Sequence, residues 1–475
     1  MEIGIFGPSL YCVERGDETQ KQVVSNILAI PGLRESWEPT VGPQLFHPEN
    51  PVGSYDTHMG SIIKEEGLAW TRNLKDFSNT VRPVKAPPRS GLNPRGRVHL
   101  RSMAEQYDIP DTPAWHAIAE VVYGYSWSLV DNNVFCKDCL YGTNTCAILA
   151  SFPDYYHFCQ DMYPVLEKSA QRLVEYIAHV HRCHPTGGEH HKVMDSWLAV
   201  AQCTYLDILH PKAEKLKGPE DELQSIRYRL TNSAARALTL EVRLEQGPLI
   251  GDDNTIDAVA LAKIYMHDAC DYRHDNAANE FYNIITVVTS HRGEPANNIF
   301  RRFCIDVWAW AVDNGADWAI YIAGRVLSWQ VYMARYRTPI LFDNLVPRDA
   351  STQPTDDPYG DPILNSMNPL PPSSHPHDFD LRNRCRNKDR YDELLRNCLA
   401  HFETCPGCHE YDKKTSWADR VPLLGKAYET KYTDCSCLNI ISMYMILACM
   451  EPVWWAVDYA AEYTGPMEEW SSMLC

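Results

Sequence analysis

The 475 residues carry 62 acidic against 44 basic side chains, a formal charge of −18, and at that length one large or two moderate domains with sizeable cores are expected. Hydrophobic residues make up 45% and charged ones 22%, ordinary globular usage that excludes disordered and fibrous classes and points to a soluble folded chain. The acidic balance, without a basic block, argues against nucleic acid and anionic membrane surfaces, which are bound through an excess of Lys and Arg.

Residues 1–10 contain Glu2 and Pro8 but no basic segment, so a cleaved secretory signal is not expected. With 17 cysteines, an odd number, and no export signal, reduced thiols in a cytosolic compartment are the expectation. Residues 1–110 are dense in Pro and Gly and read as an irregular arm, with short helices near 20–28 and 61–74. The texture then changes. Thr112-Pro113 is an N-cap and first-turn pair, and residues 115–130 follow with apolar residues at helical spacing. Further helices are predicted over 153–181, 192–209, 221–244, 255–290, 295–312 and 317–337, with Gly315 ending one and Thr338-Pro339 closing the next. Alternating β-branched runs bounded by hairpin turns are nearly absent, so the predicted class is all-α, with a helical core over 111–342. Residues 343–378, rich in Pro, Asp, Ser and Asn, read as a linker or long loop. Helices resume over 378–401 and 438–463, within a C-terminal helical extension at 379–475. The most apolar stretch, 440–450, falls well short of the roughly 20 residues a membrane helix needs. Trp454 and Trp455 suggest that the extension builds a homodimer interface.

Within the predicted helix over 255–290, Asp268, Asp271, Asp275 and Asn279 follow at steps of three, four and four residues. At about 100° per residue those steps keep them on one narrow face. Like charges so spaced destabilise a helix unless a cation compensates. Hard oxygen ligands suit Mg²⁺, which usually bridges one or two carboxylates to substrate phosphates. On charge alone a solvated acidic face is an equally good reading. The apolar neighbours Ile264, Tyr265, Phe281, Tyr282, Ile284 and Ile285 favour burial.

Two other segments say little when taken alone. An aromatic stretch from Tyr123 through Trp127 ends in Asp131-Asn132-Asn133, as a capped helix C-terminus would. Trp329 is followed six and seven residues later by Arg335 and Tyr336, where an Arg could simply complement a helix dipole. Together the three segments resemble class I terpene cyclases. That family carries an aspartate-rich motif, a second motif N-x3-S-x3-E about 140 residues later, and a C-terminal W-x5-R-Y. Here Asp271-x3-Asp275-x3-Asn279 has the second motif's spacing, 140 residues after Asp131, and Trp329-x5-Arg335-Tyr336 matches the third. The first motif keeps one acid where two or three are usual, and the second has Asp, Asp, Asn for Asn, Ser, Glu. Asp138, Asp268 or Glu280 are candidate substitutes.

The resemblance covers roughly residues 100–340 and implies a class I terpene synthase-like helical bundle acting on farnesyl diphosphate with Mg²⁺. It implies Asp131, Asp268, Asp271, Asp275 and Asn279 as metal ligands. Arg227 or Arg229, 44 or 42 residues before Asp271, would join Arg335 and Tyr336 as diphosphate donors, a task that suits the planar guanidinium fork. Trp329 and Phe281 would line the cavity in which the carbocation is held, with Tyr123, Trp127, Trp308, Trp310, Trp318 and Tyr321 as further aromatic candidates. Most of these are expected to be plain core residues, with two or three touching substrate. Length and divergence look most like the fungal humulene synthases of tropolone meroterpenoid pathways, which implies closure of C1 on C11 to humulene.

Three other signals compete. His267-Asp268 is the dipeptide that helical HD-type metal phosphohydrolases use, with His179 or His181 and Asp306 as further ligands; a non-catalytic helical scaffold is the remaining alternative. Cys405-Pro-Gly-Cys408-His409 matches a haem-attachment string that needs an exported protein. Paired with Cys136-Lys-Asp-Cys139 it makes a weak four-thiolate zinc candidate, and scattered thiols are the better reading. His179, His181, Cys183, His184, His190 and His191 flank Pro185-Thr-Gly-Gly188 and read as a solvated His-rich turn.

Overall fold

The computed structural model describes residues 163–209, 226, 229–245, 249–277, 283–285, 297–332, 338–345, 380–429 and 437–454, with isolated positions before 106. The elements among the described residues are helices, without a strand, so the fold is all-α. None of these helices is long and apolar enough to cross a membrane. Described residues up to Leu261 belong to one compact unit and those from Ala262 to another. The first aspartate motif and most of the arm and of the linker lie outside the described residues, but 343–345, the predicted start of the linker, are helical.

In the first unit, α1 (Tyr163–Cys183) and α2 (Glu189–Leu209) form a helical hairpin, and α3 (Ala235–Glu245) packs on α2. Leu173, Ile177 and Val180 of α1 recur at helical spacing and are buried, as are Val193, Met194 and Trp197 of α2. The α2–α3 seam is polar as well as apolar. The Trp197 Nε1–H donates to the fully buried Glu241 carboxylate at 2.9 Å. Arg236 spans two helices, donating to Asp257 at 2.8 Å and to Ser196 Oγ at 3.0 Å, so the buried charge of Asp257 is paired.

The single helix predicted over 221–244 is interrupted. Residues 233–234 form a turn, with Ala234 at φ 54°. The Ser233 hydroxyl donates to the Arg229 carbonyl at 2.6 Å, a local side-chain bond that competes with the helix ladder.

Between α1 and α2, Gly187 takes φ 77° and the imidazoles pack in pairs, His181 on His191 with ring centroids 4.2 Å apart and His184 on His190 at 3.8 Å. Burial holds His181 and His190 below their ordinary value of 6.5, adjacent imidazoles push the same way, and Asp195 opposes the shift at His181. A folded-state value below the unfolded one means that the unfolded chain binds more protons in that window. This stability is therefore present above about pH 6.5 and is lost as pH falls through the lowered folded values. Thermal melts across pH 8 to 5 are expected to show that loss, and a His181→Asn/His190→Asn double variant to show less of it.

Helix α4 (Asp253–Ala277) starts two residues earlier than predicted because Asp252 caps it, accepting from the Thr255 N–H and hydroxyl, both at 2.9 Å. Positions 255–266 are buried without exception. The predicted continuation to 290 does not hold, because Asn283 is not helical. Its side chain donates to the Asp268 carbonyl at 2.8 Å and accepts from the Ile285 N–H at 3.0 Å, a turn that restarts the chain as a cap does.

The second unit contains α5 (Asn297–Asn314), α6 (Asp317–Tyr332), α7 (Thr338–Leu345), α8 (Lys388–Thr404), α9 (Trp417–Glu429) and α10 (Cys437–Ala448). Gly315 ends α5 at φ 69°, with the Ala316 N–H reaching back to the Ala311 carbonyl at 2.9 Å, as predicted for a glycine cap. Thr338-Pro339 opens α7 instead of only closing α6, since a proline costs no hydrogen bond in a first turn. Asp343 of α7 accepts from the Trp417 and Ala418 N–H groups at 2.7 and 3.1 Å, capping α9 from a neighbouring helix.

α6 is the centre of this unit, buried on nearly every side, and α10 lies along it. Gly324 makes the approach possible: a Cβ there would sit 2.1 Å from the Ser442 carbonyl oxygen. Ser328 continues the seam one turn on, 3.2 Å from Ser442 Oγ. The C-terminal helices are tied to α5 and α6 through Arg384 to Asp306 at 2.5 Å, Arg390 to Asp317 at 2.8 Å, and the Asn387 N–H to Asp313 at 2.8 Å. Trp454, which suggested a dimer surface, is buried in this core instead, between Tyr265 and Trp308 with the Arg301 guanidinium 5.6 Å from its ring; Trp455 lies outside the described residues.

Candidate functional site

Asp268, Asp271 and Asp275 all fall on α4, within about 60° of one another around its axis at helical pitch. Asp268 is fully buried. One of its carboxylate oxygens faces His267 Nδ1 at 3.0 Å and the other accepts the Ile284 N–H at 2.7 Å. With Asn283 on its carbonyl, this residue holds the restart of the chain after α4. Asn279 and Phe281 lie beyond the helix end at Ala277, outside the described residues.

α6 touches α4 at His267. The Gln330 amide points at the His267 carbonyl, a long contact of 3.5 Å, from a buried position adjacent to Trp329. Trp329 is itself buried, edge-on to Tyr428 with centroids 6.2 Å apart. Trp308 is buried against Trp454, so both indoles have core partners contributed by the C-terminal segment. Arg335 and Tyr336 follow α6 outside the described residues, as do Asp131 and Arg227. Arg229 is half-buried in the first unit and donates to Asn232 at 3.2 Å.

The residues of the rival HD reading have other engagements. Asp306 pairs with Arg384, His267 with Asp268, and His181 with Asp195 at 3.2 Å. Among the described residues, the group of His, Cys, Asp and Glu side chains converging tightly enough to hold an ion is His401, Cys405, Cys408 and Cys437. Of these four, the sequence signals only Cys405 and Cys408. His401 stands one helical turn before Cys405, but Cys437 comes from another helix and carries no spacing signal.

Nothing matches this chain among family models, curated proteins or solved structures.

Proposed function

We propose that the chain is a Mg²⁺-dependent sesquiterpene cyclase that ionises farnesyl diphosphate and closes the farnesyl cation to a cyclic C15 hydrocarbon, humulene by C1–C11 closure. The observation carrying this reading is the contact between α4 and α6. There the Gln330 amide, next to Trp329 on α6, lies 3.5 Å from the His267 carbonyl of α4, the helix that carries Asp271 and Asp275.

Carboxylates at this spacing are the hard oxygen donors Mg²⁺ takes, so Asp271 and Asp275 would hold it with Asn279. Asp268 supports that set by ordering the chain after α4. When bound, Mg²⁺ neutralises the charge that develops on the diphosphate leaving group. Arg335 and Tyr336 would donate hydrogen bonds to the diphosphate oxygens, and the guanidinium fork would orient it. Aromatic ring faces lining the cavity would stabilise a desolvated cation by about 2 kcal/mol or more.

Purified protein incubated with farnesyl diphosphate is expected to release a cyclic C15 hydrocarbon only when Mg²⁺ is present, detected by gas chromatography with mass detection. No product from the C10, C15 or C20 diphosphates would return the chain to the HD phosphohydrolase or scaffold readings.

A further inference from the structure

Four side chains from α8, the turn after it and α10 converge at one point. His401 lies in the last turn of α8, Cys405 caps that helix, Cys408 follows Pro406-Gly407, and Cys437 opens α10. Their ligand atoms, one imidazole nitrogen and three sulfurs, all lie within 4.8 Å of one another. We propose that His401, Cys405, Cys408 and Cys437 form a structural Zn²⁺ site with three thiolates and one imidazole.

The dimensions suit zinc. With Zn–S near 2.3 Å and Zn–N near 2.0 Å, tetrahedral ligands stand roughly 3.5–3.8 Å apart. The sulfurs of Cys405 and Cys437 are 3.4 Å apart, far beyond the roughly 2.05 Å of a disulfide and a few tenths of an ångström from the tetrahedral edge. Cys408 and Cys437 are buried, which suits a closed structural site. Soft thiolates also select against Mg²⁺ and Ca²⁺, so this site cannot be exchanged with the acidic one on α4.

Two further observations point to an ion. His401 Nε2 is buried with no hydrogen-bond partner, and an unsatisfied buried nitrogen costs about 1–3 kcal/mol that a metal bond removes. At Gly407, a Cβ would stand 3.1 Å from Cys437 Sγ and 3.7 Å from Cys405 Sγ, so the turn between the two cysteines folds its backbone over the sulfurs. Backbone bonds hold that turn in place: Cys405 N–H to His401 O at 2.8 Å, Glu410 N–H to Phe402 O at 3.0 Å, and Tyr411 N–H to Cys408 O at 3.2 Å. The ion would close a loop of 32 residues between Cys405 and Cys437 and fasten the start of α10, the helix on which Gly324 packs.

The test uses the full chain, expressed and purified with Zn²⁺ in the medium and buffers. Elemental analysis is expected to find one zinc per chain, and X-ray absorption at the zinc edge a shell of three sulfurs and one nitrogen. His401→Cys should keep the zinc with four sulfurs, and Cys437→Ser should lose it. A zinc-selective chelator should lower the melting temperature by several degrees, with recovery on adding Zn²⁺ but not Mg²⁺. Because the absorption spectrum is read on the unmodified chain, the proposal stands or falls even where a variant fails to fold. Protein without zinc overturns the proposal, as does zinc in a sulfur-free shell of the kind the His-rich turn at 181–191 would give.

Discussion

Gly324→Ala is expected to unfold at a markedly lower temperature, with a net loss of about 2 kcal/mol or more. Alanine is the better helix former by about 1 kcal/mol, so the local preference favours the variant. Tertiary packing opposes it. The added methyl would lie 2.1 Å from the Ser442 carbonyl oxygen, 2.5 Å from its carbonyl carbon and 2.9 Å from its Cα, all of them backbone atoms inside α10. No rotamer change relieves such a clash, so α10 must retreat by about 1 Å, and overpacking of this kind costs about 3 kcal/mol or more. Retreat also strains Ser328 against Ser442 and Met445, and separates Arg325 from Asn439. Gly425→Ala is the control. It too is a helical glycine, but its Cβ would meet only the Tyr332 ring edge at 3.4 Å, ordinary contact, so this variant should hold or gain stability. Equal melting temperatures for the two would mean that α6 and α10 do not pack through Gly324.

No local pattern in the sequence announces the approach of α10 to Gly324, whereas the helical class is legible because apolar residues recur at helical period and strand alternation is absent. Gly315 is legible as a helix end because a left-handed cap favours glycine. Breaks made by ordinary residues are not. Ala234 turns the chain with no glycine or proline to announce it, and Asn283 interrupts a helical pattern through bonds to Asp268, fifteen residues away. Thr338-Pro339 illustrates a different ambiguity, since proline stops the helix before it and suits the first turn of the one after. Trp454 reads equally as surface or as core, because only the positions of Tyr265 and Trp308 decide. The same holds for the cysteines. C-x2-C is a local signal that pairs in sequence with Cys136 and Cys139, which lie outside the described residues, while the structure supplies His401 and Cys437. For the candidate site, spacing puts three carboxylates on one face of α4; that Asp268 is tied to Ile284 emerges only from the folded chain.

Asp271→Ala and Asp275→Ala should each lower kcat on farnesyl diphosphate by about 10²–10⁴-fold, since neutralising a diphosphate leaving group is worth several kcal/mol and each tenfold in rate about 1.4 kcal/mol. The fold should not suffer. Removing one carboxylate from a stripe of like charges relieves about 0.2–0.5 kcal/mol of repulsion, and alanine is the better helix former. Asp268→Ala should behave differently, because its buried carboxylate accepts the Ile284 N–H; losing that acceptor costs about 1–3 kcal/mol, and the melting temperature should fall with the activity. Arg335→Ala should act mainly on KM, as a group that holds the diphosphate in ground and transition states alike does. Paired measurements of kcat and melting temperature therefore sort the acidic residues of one helix by task. Activity lost at 271 and 275 with stability kept identifies the metal-binding pair, and stability lost at 268 identifies the residue that orders the chain behind them. Full activity in both the Asp271 and Asp275 variants would falsify the metal assignment, because no other feature of the helix makes those two carboxylates necessary.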